Sequence, residues 1–195
     1  MESPPTSRSL LERARDPRDV ASWRRLIDIY SPLIRRWVAA YVAQPADADD
    51  VVQEVLTTVV REISRFEHSG RAGAFRAWLR SIAVNRLHAH WQARRGVQAT
   101  GDSAVLEQLH QLEDPESSLS REWDDQHDRH VAGVLLESIR LEFQPATWHA
   151  FEATVRQGRP AAEVAAELGL TVNAVLIAKS RILKRLRQKA AGLID

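Results

Sequence analysis

Apolar residues recur three and four positions apart along most of this chain, and no stretch alternates in the manner of a strand. Val20, Trp23, Leu26, Ile27 and Tyr30 make a first helical stripe. Ser31 and Pro32 then suit a cap and a first helical position. Leu33, Ile34, Trp37, Val38 and Tyr41 form a second stripe that stops at Gln44 and Pro45. Asp47 is placed to cap a third helix, with Asp49 and Asp50 near its positive end. That helix carries Val52, Val55, Leu56, Val59, Ile63 and Phe66. The two glycines of EHSGRAG end it in an exposed loop. A fourth helix follows over about 75–95, with Phe75, Trp78, Leu79, Ile82, Leu87 and Trp91 as its core side.

Periodicity weakens over 96–120, where polar residues, Gly101 and Pro115 accumulate, although Val105, Leu106, Leu109 and Leu112 can form a short helix. The pattern predicts an all-α chain of two small helical domains: a flexible N-terminus over 1–19, a first domain over 20–95, an acidic linker over 96–120 and a second domain over 121–195.

The strongest local signal is GRPAAEVAAELGLTVNAVLIAKSRILKRLR. Glu163, Val164, Ala165 and Leu168 make a short helix, Gly169 permits a tight turn, and Thr171 caps the next helix. That is the plan of a helix-turn-helix, whose second helix enters a DNA major groove. It explains why the last helix is apolar at its start and basic at its end. Val175, Ala178, Ile182 and Leu186 face inward, leaving Asn173, Ala174, Ile177, Lys179, Arg181, Lys184 and Arg185 for groove edges and phosphates. A purely structural helical hairpin is the competing account.

Composition narrows the function classes. The 195 residues are 44% hydrophobic and contain no cysteine, which excludes a disulfide framework, a thiolate nucleophile and a cysteine-rich zinc site. No window reaches eighteen uninterrupted apolar residues and the N-terminus lacks an apolar signal core, so the expectation is a cytoplasmic protein with no membrane partner. Neither a glycine-rich phosphate cradle nor a catalytic triad can be assembled, and a non-catalytic chain is expected. His88 and His90 lie on different helix faces, and His127 and His130 can share one. Without a third spaced ligand, neither metal nor cofactor is expected.

Net charge is only +1, but it is unevenly spread. Arg71, Arg76, Arg80, Arg86, Arg94 and Arg95 fall in a stretch without acids, and 102–128 carries nine acids against Arg121 alone. A third block, ending at Lys189, is basic again. Such alternation suggests two surfaces for a polyanion. Arginines interleaved with Trp78, Asn85 and Trp91 suit phosphates and unpaired bases. In DADDVVQEV and the residues after it, Asp50, Gln53, Glu54, Thr57 and Arg61 share a polar face, which is either solvated or a protein-docking surface. Calcium is disfavoured there, since no glycine-bearing loop accompanies the acids.

Together DADDVVQEV, FRAWLRSIAVNR and the C-terminal helix-turn-helix resemble the RNA polymerase sigma factors of the extracytoplasmic-function type, sigma-70 family members that keep only regions two and four. The resemblance covers about 23–95 and 131–189. It implies promoter recognition and transcription initiation, with core RNA polymerase (clamp coiled coil and flap) and promoter DNA as partners and an anti-sigma factor as a further one. It implies that Asp50, Gln53 and Glu54, with Thr57 and Arg61 on the same face, grip the polymerase. The loop over 67–74 and Asn85, with the block from Arg71 to Trp91, would trap unpaired bases of the −10 element, and Arg94 and Arg95 would follow just upstream. Region four would set residues 172–187, capped by Thr171, in the major groove of the −35 element.

Two positions depart from the family pattern. Ala89 stands where an acid is usual, four residues after Asn85, and Leu176 and Ile177 stand where polar groups are common. Specificity on the last helix then rests on Asn173, Lys179, Ser180, Arg181 and thymine-methyl contacts. Two other classes fit the residues without the resemblance: a stand-alone helix-turn-helix regulator with an N-terminal oligomerisation domain, and a helical adaptor without a DNA role.

Overall fold

A computed structural model describes residues 9–16, 18–67, 73–94, 102–191 and 193–194. Arg71, Arg95, most of the loop over 67–74 and the first eight residues, all named above, lie outside them. The described residues contain helices and no strand. In order they are α1 (Leu10–Ala14), α2 (Val20–Ala39), α3 (Pro45–Glu62), α4 (Ala74–Arg94), α5 (Asp102–Glu113), α6 (Ser118–Ile139), α7 (Pro145–Phe151), α8 (Ala161–Leu168) and α9 (Val172–Ala190). Contacts divide the chain into two compact units, 1–131 with 192–195, and 132–191.

Several local expectations are corrected. The first two stripes belong to one helix, α2, which runs straight through Pro32. The proline costs its own N–H bond to the preceding turn. It sits on the exposed side, however, while Leu26, Tyr30, Leu33, Trp37 and Val38 keep one buried face in phase across it. Asp47 does not cap α3. Pro45 takes the first helical position behind Gln44, because its fixed φ suits a helix start, and Asp47 falls in the first turn.

Residues expected to belong to a flexible N-terminus form α1. Ser9 and Glu12 make a reciprocal capping box, and Leu10, Leu11 and Ala14 are buried. Arg15 donates to the Phe66 carbonyl, and Asp19 caps α2.

In the first unit α2 packs on α3, α3 on α4, and α4 on α5. Ile29, Leu33, Ile34, Val55, Phe75, Leu79 and Leu87 form its centre. Within 96–120 the structure holds the helix α5, whose Leu106, Leu109 and Leu112 are buried. The unit then extends through the first half of α6 to Val131, beyond the boundary expected at 120. The reason is a stripe in which Ser120, Trp123, His127 and Val131 are all buried.

The second unit is built around α9, against which α7 and α8 pack. Ala150, Ala153, Val164, Ala165, Val175 and Ala178 form one apolar cluster; Ile139, Trp148, Phe151 and Ile182 form another. Small side chains in the first cluster let the helices approach closely. Gly169 closes α8 at φ 64°, the left-handed conformation that glycine adopts without a Cβ clash. Thr171 then accepts from the Ala174 N–H to start α9, and the two helices meet at 106°. No single described helix is long and apolar enough to cross a membrane.

Candidate polymerase- and nucleic-acid-binding faces

Burial of Val51, Val52, Val55, Thr58 and Val59 fixes the rotation of α3. Asp50, Gln53, Glu54, Thr57 and Arg61 therefore come together on its exposed side. Arg61 reaches Glu62 at 3.0 Å, while no described cation pairs with Asp50 or Glu54. The face is accordingly acidic and free to meet a partner. On the edges of α3, Asp49 pairs with Arg35 and Asp47 with Arg94. Arg94, expected to face DNA, is thereby tied to the start of α3.

The basic residues of α4 divide into distinct environments. Asn85 is exposed. Arg86 and Trp91 are half-buried, and Arg86 Nε and Trp91 Nε1 are buried without a hydrogen-bond partner. Arg76 and Arg80 point at α6 instead of solvent. Arg76 contacts Asp124 at 3.4 Å and Asp128 at 2.6 Å, and Arg80, only 5% exposed, pairs with Asp124 and donates to the Ser120 carbonyl at 3.3 Å. Gly73, at φ 75°, leaves room for this: a Cβ there would lie 2.6 Å from Arg76 Nε.

The contacts between α2 and α6 are aromatic. Trp37 and Trp123 stack with centroids 4.3 Å apart and planes at 11°, and Trp37 Nε1 donates to Gln126 at 3.1 Å. His127 stacks on Tyr30 and shares a 3.3 Å contact with its hydroxyl. Its Nδ1 lies 2.9 Å from Asp128. One neutral tautomer serves both neighbours, with Nδ1–H donating to the carboxylate and Nε2 accepting from the phenol. Burial holds His127 below its ordinary pKa despite Asp128 beside it, and burial pushes the Tyr30 phenol up. His130 Nε2 donates to the Ile29 carbonyl at 2.6 Å.

Sequence reasoning missed these α6 partners. The available signal was a match of spacing: Arg76 and Arg80 are four apart on one helix, as Asp124 and Asp128 are on another.

On α9 the inward set is Val175, Ala178 and Ile182, with Leu186 partly buried. Thr171, Asn173, Ile177, Lys179, Ser180, Arg181 and Lys184 are exposed, and Ala174 is half-buried. Leu176 and Ile177 show 51% and 46% of their surface, so an apolar strip runs among the polar residues. Arg185 is engaged differently. It forms a two-pronged pair with Glu142 at 2.5 and 3.1 Å, which holds the Glu142 carboxyl below its usual range.

Residues 26–97 match the family described as Sigma-70 region 2. The chain is also similar to the ECF RNA polymerase sigma factor BldN of Streptomyces coelicolor, with 26% identity over 177 residues. That alignment takes in 91% of this chain, which spans 63% of the relative's length. The matched segment holds α3 with its exposed acidic face and α4 with its arginines, and a capped helix-turn-helix follows in the second unit. Residues 26–97 are thus a sigma-70 region 2 domain, in a chain that is similar over most of its length to an extracytoplasmic-function sigma factor.

Proposed function

We propose that this protein is an initiation subunit that docks on core RNA polymerase and directs it to promoters. The observation that carries the reading is the exposed face of α3, where Asp50, Gln53 and Glu54 stand clear of internal partners on a region 2 domain. A stand-alone DNA-binding regulator would have no use for such a face. Thr57 and Arg61 extend it by two further turns. The clamp coiled coil of the polymerase is the partner proposed for it, and the flap for the second unit.

Promoter DNA is divided between the units in this proposal. Exposed Asn85 on α4 hydrogen-bonds an unpaired base of the −10 element, with Arg86 the next residue and Trp91 nearly two turns along. Base flipping costs a few kcal/mol, and a prepared edge lowers that cost. Residues 172–187 of α9 enter the −35 major groove. There Asn173 and Ser180 meet base edges, Lys179, Arg181 and Lys184 meet phosphates, and Ile177 meets thymine methyls. Arg76 and Arg80 reach DNA only after their α6 carboxylates let go.

Binding of fluorescently labelled full-length chain to purified core polymerase tests the docking face. The double variant Gln53→Ala/Glu54→Ala should bind at least tenfold more weakly. Equal binding would place the interface elsewhere.

A further inference from the structure

We infer that His88, His110 and Glu113 form a binding site for a divalent transition-metal ion of the zinc class, joining α5 to α4. The three side chains come from two helices that pack through buried Leu106, Leu109 and Leu112. His110 and Glu113 are three apart on α5, so both project from one face of it toward α4. His88 Nε2 lies 3.1 Å from one Glu113 oxygen, and His110 Nδ1 lies 3.4 Å from the other. The imidazole centroids are 5.1 Å apart at 52°, and the three donor atoms all fall within 4.8 Å of one another.

That spacing suits a common ion. Zinc bonds of about 2.0–2.2 Å to imidazole nitrogen and carboxylate oxygen bring tetrahedral ligand atoms to roughly 3.3 Å from one another. Only a small closure of exposed side chains is needed to reach it. The donor set of two imidazoles and one carboxylate is of the type that holds zinc with a fourth position left to water.

The state of His88 points the same way. Its Nε2 is buried, and although Glu113 is close enough for an ion pair, the direction of approach makes no hydrogen bond. A buried ring nitrogen without a hydrogen-bond partner, beside a second imidazole and a carboxylate, has the surroundings of a metal ligand. A plain histidine–glutamate ion pair leaves that nitrogen unexplained. An ion bound here would clip α5 to α4 one turn from Asn85. Neither histidine spacing within α4 nor the absence of cysteine reveals such a site, because its other ligands lie on a different helix.

The test uses the full chain without a histidine tag, titrated first with Co²⁺ and then with Zn²⁺, followed by visible absorption and calorimetry. One equivalent should bind, with a cobalt absorption band displaced by zinc. His110→Ala and Glu113→Ala should each weaken binding at least tenfold, while His90→Ala leaves it unchanged. His110 is 63% exposed, so its removal does not threaten the fold. Zinc should raise the thermal midpoint of the parent chain and not that of His110→Ala. Absence of saturable binding, or binding indifferent to His110→Ala, would overturn the site and leave an ordinary ion pair.

Discussion

The guanidinium of Arg80, nearly sealed from solvent, is paired with Asp124 across the seam between α4 and α6. Its neighbour Arg76 has two carboxylates to choose from, Asp124 and Asp128. The two acids are therefore unequal. Asp124→Ala leaves Arg80 buried with only the Ser120 carbonyl, and removing one partner of a buried pair costs roughly 3 kcal/mol. Asp128→Ala leaves both arginines with Asp124 but takes the acceptor from the buried His127 Nδ1–H, so it should be the milder change at about 1 to 2 kcal/mol. Urea unfolding of the two variants, followed by tryptophan fluorescence, distinguishes them; equal losses would contradict the ranking.

The same pairs have a consequence for DNA. Asp124→Asn with Asp128→Asn removes two charges that neutralise Arg76 and Arg80. Affinity for single-stranded DNA should rise. The dependence of log K on log salt should steepen by about 0.7 for each phosphate gained. An unchanged slope in a salt titration of the folded double variant would show that these arginines serve only to seat α6.

His127 makes the first unit sensitive to acid. Its folded pKa lies below the unfolded value of about 6.5, so below that pH the unfolded chain takes up a proton the folded one resists. Stability is full above about pH 7 and falls as pH drops toward 5, by at most about 1.4 kcal/mol per pH unit from this group. The groups that face it are Tyr30 of α2, Arg76 of α4 and Asp124 and Asp128 of α6. His127→Gln keeps the side chain polar but does not titrate. Its stability should vary less with pH over that window than the parent's, as urea midpoints at pH 5, 6 and 7 would reveal.

On α9, capping and DNA contact are separable. Thr171→Ala removes the oxygen that accepts from the Ala174 N–H and should cost about 1 kcal/mol of second-unit stability. Arg181→Ala and Lys184→Ala alter exposed positions and should leave unfolding unchanged. In a duplex-binding titration each should lower the salt slope by about one.

Much of this architecture was legible in the residues. The helix-turn-helix stood out because Gly169 and Thr171 each have a local conformational reason to be where they are, and the stripe of Val175, Ala178 and Ile182 is unbroken. The exposed face of α3 followed from the valines opposite it. What stayed hidden depends on tertiary partners. Ser120 and His127 are polar residues in a buried stripe, so α6 did not register as the first unit's last helix. Arg76 and Arg80 looked like phosphate ligands because an arginine's neighbour across a helix seam leaves no trace in its own helix. Pro32 looked like a helix start because local propensity favours it there, whereas the buried face of α2 carries the helix through.

In the proposed function the α3 face joins this chain to core polymerase for promoter-directed initiation. Run-off transcription with purified core polymerase and a library of promoter fragments, with and without the protein, tests it most directly. Fragment-specific transcripts should appear with the parent chain and vanish with Gln53→Ala/Glu54→Ala, while duplex binding by α9 persists. Duplex binding without any stimulated transcription would contradict it.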